Sequence, residues 1–149
     1  MSAIQVKCDA AVWPNPGPGS CAYAIRWGDQ LIALRAVAYG SQANPVTNNA
    51  AEYHAVELAL RELIQRKMLG AQVQTDSQLV VKQVSGEWDC KSPLLEHQRD
   101  RVRDLLAQAQ ATLTWIPREQ NVLADKLSGW CLPPASLTNM KQKLNRKHA

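Results

Sequence analysis

Long apolar runs and closely spaced cysteines are missing from this sequence of 149 residues. No run approaches the roughly 18 apolar residues of a membrane span, so we expect no membrane partner. The first residues lack a basic segment followed by an apolar one, and we therefore expect no secretory signal. The cysteines form no C-x-x-C pair, which argues against structural zinc or a disulfide framework. We expect a reduced, cytoplasmic location.

Several catalytic motifs are also absent. The sequence has no G-x-x-x-x-G-K-[ST] loop and no H-E-x-x-H pair, which excludes a P-loop NTPase and the common zinc proteases. It has only 3 histidines, and none lies beside an obvious nucleophile, so a Ser-His-Asp site is not expected. Nothing in the chain suggests an organic cofactor.

What remains is the composition of one folded domain, with 46% hydrophobic and 20% charged residues. The 17 basic and 13 acidic residues give a net charge of +4. Residues 133–149 contain four basic side chains and no acid, so residues 1–132 are formally neutral. We predict a domain over 1–132 followed by a basic C-terminal tail over 133–149. The basic pI indicates a nucleic-acid partner, but this indication depends on the tail.

Hydrophobic periodicity predicts the element order βββαβααβα, an α/β fold. Strands are predicted over 4–11, 21–27, 31–39, 71–76 and 112–116, and helices over 49–68, 77–84, from Ser92 onward and over 121–130. Asn48 and Asn49 are expected to cap the first helix, and Gly70 to end it. Glu57 is expected to pair with Arg61 on its outer face. Strands joined through helices predict a five-stranded mixed sheet with helices packed on it.

Four carboxylates occupy unusual positions. Asp9 lies within a strand, where Asp is depleted. Glu52 lies on the helix stripe that is otherwise apolar, and Asp76 ends the fourth strand. Asp125 lies in the first turns of the last helix. Each has an ordinary explanation taken singly: capping, a favourable helix N-terminus or a solvated strand position.

Together the four carboxylates predict a metal site. If the first and fourth strands are neighbours, Asp9 and Asp76 converge, and two helix starts bring Glu52 and Asp125 to them. Four such groups repel one another strongly, and divalent cations remove that conflict. Hard oxygen ligands without Cys or His indicate Mg²⁺ or Mn²⁺. Two ions could clamp the attacking and leaving oxygens of a phosphoryl displacement.

Four motifs, spread over residues 3 to about 130, resemble those of type 1 ribonuclease H. They are N-P-G-P-G after Asp9, T-N-N-x-x-E ending at Glu52, T-D-S-Q around Asp76 and N-x-x-A-D ending at Asp125. The resemblance implies a ribonuclease H fold and endonucleolytic cleavage of the RNA strand of RNA/DNA hybrids. It also implies two metal ions held by the four carboxylates, products with 5′-phosphate and 3′-hydroxyl ends, and a monomer.

The resemblance extends to positions that contact substrate. The positions matched by Asn15 and Thr47 would grip a phosphate of the DNA strand. The positions matched by Asn48, Asn49 and Gln78 would reach the minor groove and the RNA strand. Ribose 2′-hydroxyls distinguish RNA from DNA, and amide side chains suit that task. Trp88 matches, with one residue inserted, an aromatic residue of the DNA-strand channel, although it could equally be a packing residue.

The chain departs from some bacterial members in two places. The loop before the last helix is short and lacks their catalytic His, so Arg118 or Glu119 is a candidate for proton transfer or product release. Arg118 could equally contact a phosphate or be a surface charge. The basic protrusion of those members is also missing, because Lys91 is the single basic residue in the segment 86–92. These features place the chain with the shorter-loop branch of the family.

Two alternatives stay open from the sequence, and a third is disfavoured. The chain could be an inactive ribonuclease H-fold module that only binds nucleic acid, although all four carboxylates are present. It could be a relative that also cleaves double-stranded RNA. A proofreading exonuclease is disfavoured because Asp9 is followed by two alanines, without the D-x-E pattern.

Overall fold

The computed structural model describes residues 3–127, 129, 131 and 132. Five strands are present: β1 Ile4–Val12, β2 Gly19–Trp27, β3 Gln30–Tyr39, β4 Gln72–Thr75 and β5 Thr112–Trp115. Four helices accompany them: α1 Asn48–Gln65, α2 Gln78–Ser85, α3 Pro93–Ala109 and α4 Val122–Leu127. A 3₁₀ turn over Arg118–Gln120 precedes α4. The predicted order βββαβααβα is confirmed.

The strands form one mixed sheet in the order β3-β2-β1-β4-β5. β1, β2 and β3 are antiparallel neighbours, whereas β4 runs parallel to both β1 and β5. The parallel register pairs Cys8 with Thr75. The residues that follow this pair are Asp9, within β1, and Asp76, directly after β4, so the topology places them side by side.

Helix α1 supplies much of the core. The apolar stripe predicted for it is fully buried, and its largest members are Val56, Leu60 and Leu63. The helix packs against β1, β2 and α3, while α4 packs against β1 and β2. Burial of this stripe therefore fixes the rotation of α1 about its axis and directs Glu52, which shares the stripe, inward. No helix within the described ranges is long and apolar enough to cross a membrane.

The start of α1 lies within one residue of the predicted Asn49, but its predicted cap and its predicted C-terminal end were wrong. Thr47, rather than Asn48 or Asn49, caps the helix, because its backbone is extended and its hydroxyl accepts from the Ala50 N–H at 3.2 Å. The helix ends at Gln65, well before Gly70, and the chain turns through a left-handed backbone at Lys67. Asn48 and Asn49 therefore begin the helix without capping it.

The outer-face position predicted for Glu57 was also wrong. The ion pair with Arg61 forms at 2.9 Å, but Glu57 is buried because Arg101 of α3 covers it at 3.0 Å. At the end of the chain, α4 is described only over Val122–Leu127. The predicted extension to residue 130 is wrong at Gly129, which is in a turn, and residues 128 and 130 lie outside the described residues. The predicted tail over 133–149 also lies outside them.

Candidate metal centre

Three elements bring three carboxylates to one point. Asp9 comes from β1, Glu52 from the buried stripe of α1, and Asp76 from the residue directly after β4. Each offers an oxygen, and these oxygens all lie within 4.8 Å of one another. The convergence predicted from strand adjacency is therefore present in the structure for these three residues.

The ordinary explanations for these carboxylates do not hold. Asp9 and Glu52 are only 5% and 6% exposed, so neither is a solvated surface acid. Asp76 does not cap α2, because Ser77 does so by accepting from the Val80 N–H at 3.3 Å. Buried acids without a neutralising partner are rare, and such a group is a candidate for function.

Electrostatics of the cluster favour a bound cation. Burial raises the pKa of Asp9 well above its usual range, and the neighbouring Asp76 and Asp125 raise it further. Burial likewise raises the pKa of Glu52, with Asp9 and Asp76 adding to the effect. The pKa of Asp76 is raised by burial and by Asp125, while Arg118 acts in the opposite direction. The negative charges therefore destabilise one another in the absence of a counterion.

Asp125 lies at the edge of this cluster rather than among the three closest carboxylates. Its carboxyl group lies close enough to Asp9 to raise the pKa of that residue. It also accepts a long hydrogen bond, 3.4 Å, from Nη2 of the exposed Arg118. All four predicted carboxylates are thus in one region, with the fourth partly compensated by a guanidinium.

Asn121 holds the fourth carboxylate in place, a role that the sequence reasoning missed. Its buried side-chain Nδ2 donates to the Cys8 carbonyl at 2.8 Å, immediately before Asp9 in β1. Its own carbonyl accepts from the Asp125 N–H at 2.9 Å. One amide residue therefore joins α4 to β1 next to both acids. The N-x-x-A-D spacing, four residues from Asn to Asp, is the sequence signal for this link.

The donor set fits a divalent cation. Oε2 of Glu52 is buried and has no hydrogen-bond partner within the described part of the chain. The clustered ligand atoms are all carboxylate oxygens, which suit Mg²⁺ or Mn²⁺ rather than Zn²⁺. A bound cation would satisfy the orphaned oxygen and neutralise the cluster.

The predicted phosphate contacts form a second group at the start of α1. Asn15 Oδ1 accepts from the Asn48 N–H at 3.0 Å, which ties the N-P-G-P-G turn to the helix. Gly17 and Val46 exchange two backbone hydrogen bonds of 2.9 Å beside it. Asn15, Thr47 and Asn49 are exposed, and Asn48 is half-buried. These polar groups are available at the surface.

Gln78 and Trp88 lie on or after α2. Gln78 is exposed at the first residue of this helix, two positions after Asp76. Trp88 follows the helix in the connection to α3, and 45% of its surface is exposed. The indole is therefore not a core residue, which disfavours a purely packing role.

Comparisons with known proteins agree with this geometry. The family described as "Reverse transcriptase-like" matches residues 7–131. Ribonuclease HI of Halobacterium salinarum is 35% identical over 133 residues, which cover 89% of this chain and 65% of that protein. The crystal structure of RNase H1 from the same archaeon has a TM-score of 0.77 at 33% identity, covering 84% of this chain and 93% of that one.

Another similar structure was solved with a nucleic acid bound. LC11-RNase H1, solved in complex with an RNA/DNA hybrid, has a TM-score of 0.74 at 26% identity, covering 83% of this chain and 92% of that one. The curated relatives are longer than this chain, which spans 65% of the halophile ribonuclease HI and 36% of the Mycobacterium tuberculosis bifunctional protein Rv2228c. The matched region contains all four carboxylates.

Proposed function

The chain belongs to the reverse transcriptase-like family and has the ribonuclease H fold, and on this premise we propose that it is a hybrid-specific endoribonuclease. It hydrolyses the RNA strand of RNA/DNA hybrids and leaves 5′-phosphate and 3′-hydroxyl ends. The observation that carries this proposal is the convergence of Asp9, Glu52 and Asp76 within 4.8 Å. The similarity to RNase H1 solved with a hybrid supports the choice of substrate.

The four carboxylates, Asp9, Glu52, Asp76 and Asp125, are the proposed ligands of two Mg²⁺ or Mn²⁺ ions. When bound, such ions supply positive charge to the scissile phosphate and acidify water. The protein holds its ligands on β1, α1, β4 and α4, so their spacing is set by the rigid sheet and its packed helices. Asn121 keeps the carboxylate of α4 in register with that of β1.

Substrate binding is proposed at the start of α1. Asn15 and Thr47 would hold a phosphate of the DNA strand, which is supported by their exposure and by the hydrogen bond that joins the turn to the helix. A helix N-terminus favours anions through its unpaired N–H groups. Asn48, Asn49 and Gln78 would read the minor groove and the ribose hydroxyls of the RNA strand.

Arg118 is the proposed substitute for the missing His. Its exposed guanidinium contacts Asp125 at the rim of the carboxylate cluster, where it could hold a phosphate or assist product release. The two described histidines are engaged elsewhere. His54 stacks on Tyr39 with ring centroids 4.1 Å apart, and His97 contacts Arg101 at 2.8 Å.

Cleavage of a labelled hybrid in Mg²⁺ tests the proposal directly. We expect the purified chain to cut the RNA strand of the hybrid and to spare single-stranded RNA and DNA. Asp76→Asn should abolish cutting, whereas Asp104→Asn, an exposed acid on α3, should not. If the wild-type chain binds the hybrid without cutting it, the chain is a binding module. Cutting of duplex RNA in the same panel would broaden the substrate range.

The cytoplasmic location stays a prediction. It is supported by the four cysteines, all of which are free thiols. Fractionation of the source cells followed by detection of the chain would test it.

A further inference from the structure

The loop between α2 and α3, residues 86–92, is held unusually firmly for a surface connection. It begins with Gly86, whose φ of +88° ends α2 in the left-handed region. The Trp88 N–H then donates back to the Lys82 carbonyl at 3.1 Å. The exposed indole of Trp88 is therefore carried by a backbone with a defined conformation.

A buried amide side chain connects this loop to the helix that carries Glu52. Gln83 is 6% exposed and Tyr53 is fully buried. The Tyr53 hydroxyl donates to Gln83 Oε1 at 2.8 Å, and Gln83 Nε2 donates to the Asp89 carbonyl at 3.4 Å. Tyr53 follows Glu52 directly in α1, so two side chains bridge the metal-binding helix and the residue after Trp88.

A third element completes the arrangement. Arg103 of α3 donates from Nε to the Val84 carbonyl at 3.0 Å and from Nη2 to the Gln83 carbonyl at 3.2 Å. These carbonyls belong to the last turn of α2, where intrahelical donors are few, and the Gly86 N–H donates to the Gln83 carbonyl at 3.2 Å. The end of α2 is therefore fastened to α1 through Tyr53 and to α3 through Arg103, and the loop has little freedom to move.

We propose that Gln83 is a positioning residue for substrate binding, which acts by holding the loop 86–92 so that Trp88 presents its indole to the nucleic acid. The inference rests on the proposed function. An exposed aromatic face stacks on bases or sugars without regard to sequence. The eight residues of α2 span about 12 Å and connect Asp76 to the loop that carries Trp88. Fixing the indole beforehand lowers the entropy lost on binding.

Kinetics of three variants on the hybrid test this proposal. Gln83→Leu removes both hydrogen bonds, and Tyr53→Phe removes only the link to α1. We expect each to raise KM, about 5-fold to 10-fold for Gln83→Leu and less for Tyr53→Phe, with kcat within 2-fold of wild type. Trp88→Ala should raise KM similarly. Adding Gln83→Leu to Trp88→Ala should cause no further rise, because the first residue acts through the second.

Gln98→Leu is the matched control, since Gln98 is an equally buried amide whose side chain donates to the Ala50 carbonyl of α1 at 3.0 Å rather than to the loop. We expect it to leave KM unchanged. An unchanged KM in both Gln83→Leu and Tyr53→Phe, or effects of Gln83→Leu and Trp88→Ala that multiply, would overturn the proposal. If Gln83→Leu fails to fold, Tyr53→Phe carries the same test.

Amide hydrogen exchange separates this inference from the proposed function, because it needs no substrate. We expect faster exchange over residues 86–92 in Gln83→Leu and unchanged exchange there in Gln98→Leu. Equal exchange in the two variants would show that the amide does not hold the loop. Normal loop effects in a chain that cuts no hybrid would instead contradict the proposed function alone.

Discussion

Charge repulsion within the carboxylate cluster destabilises the metal-free protein. The cluster consists of Asp9, Glu52 and Asp76. Their oxygens lie within 4.8 Å, two of the three side chains are buried, and the pKa of each is raised. Neutralising one of them should therefore stabilise the metal-free protein, even though it removes a proposed ligand. Opposite effects on stability and activity are typical of functional sites.

For Asp76→Asn we expect cleavage of the hybrid to fall at least about 100-fold. In EDTA at pH 7 the melting temperature should rise by about 3 °C, equivalent to about 1 kcal/mol, because one repulsive charge is removed. Thermal unfolding monitored by circular dichroism measures the rise, with Asp104→Asn as the control. A lower melting temperature would contradict the repulsion inferred for this cluster.

The pH dependence of the metal-free protein has a defined sign. Folding raises the pKa of Asp9, Glu52 and Asp76, so above their ordinary values of 3.8 to 4.5 the folded chain binds more protons than the unfolded one. Their contribution to the free energy of unfolding should therefore decline as the pH rises from that range. Urea titrations of wild type and Asp76→Asn in EDTA at several pH values should show a smaller decline in the variant.

The pKa of Glu57 is lowered on folding, so its contribution to stability has the opposite pH dependence. The contact with His54 lowers its pKa most, followed by hydrogen bonds from Arg101 and Arg61, and the resulting pKa is about 2. Its stabilising contribution is complete above the ordinary value of 4.5 and is lost as the pH falls from 4.5 towards 2. We expect Glu57→Gln to cost about 2 kcal/mol at pH 7 and the difference to shrink within that acid window. Urea unfolding at pH 7 and pH 3 measures it.

Individual residues also show what could and could not be predicted from sequence. Glu52 was correctly expected to point inward, because the other residues on the same face of α1 are apolar. The cap at Thr47 was missed, because Thr, Asn48 and Asn49 are all good capping residues and only the backbone dihedrals distinguish them. The burial of Glu57 was missed because it depends on α3, which is distant in sequence.

At the scale of elements, the contact between α4 and β1 determines whether the fourth carboxylate is in place. α4 is described over six residues, Val122–Leu127, and only Ala124 and Leu127 of these are buried. Such a helix is marginal without tertiary contacts. The buried hydrogen bond from Asn121 to the Cys8 carbonyl therefore contributes a large part of its attachment.

We expect Asn121→Ala to lower the free energy of unfolding by about 2 kcal/mol, since it leaves the Cys8 carbonyl buried without its donor. It should also weaken Mg²⁺ binding, because Asp125 is no longer held against Asp9. Isothermal titration with Mg²⁺ and urea unfolding measure the two effects. Gln120→Ala, which changes an exposed neighbour, should have neither.

The order and type of the helices and strands were predictable because the spacing of apolar residues changes clearly between strand and helix periods along the chain. The adjacency of β1 and β4 could only be stated as a condition, since a crossover through α1 permits more than one strand order. The role of Gln83 was not predicted. In a helix as short as α2, a buried glutamine cannot be distinguished by sequence from a glutamine at the surface. Its partners, Tyr53 and the Asp89 carbonyl, come from other elements.

For the whole molecule, charge and metal are linked. Apart from the four proposed ligands, residues 1–132 carry 13 bases against 9 acids. Two divalent cations would cancel the charge of −4 at the site and leave this region at about +4 towards a polyanion. Hybrid binding should therefore be stronger with the metal than without it.

Titrating Mg²⁺ into metal-free protein should raise its melting temperature, because an ion that binds only the folded chain stabilises it, by about 2.7 kcal/mol at 100 times its dissociation constant. Differential scanning fluorimetry measures the rise. Asp76→Asn should show a much smaller rise. Equal rises in the two proteins would place the ion elsewhere.

The tail over 133–149 lies outside the described residues, and its role is predicted from its four bases alone. Deleting it should weaken hybrid binding and flatten the dependence of log affinity on log salt concentration, while turnover at saturating substrate is spared. Binding titrations at several salt concentrations measure the slope. An unchanged slope would show that the tail has no electrostatic role.

The parallel pairing of β1 with β4 has a further consequence, for the order of events in folding. Asp9 and Asp76 are separated by more than 60 residues of chain, and Asp125 by still more, so the site consists of long-range contacts. Since closing long loops costs entropy before such contacts can form, we expect them to form late. We therefore expect a chain that is still being synthesised, or only partly refolded, to lack the proposed nuclease activity. Recovery of nuclease activity during refolding should follow the slowest structural phase, not the first appearance of helix.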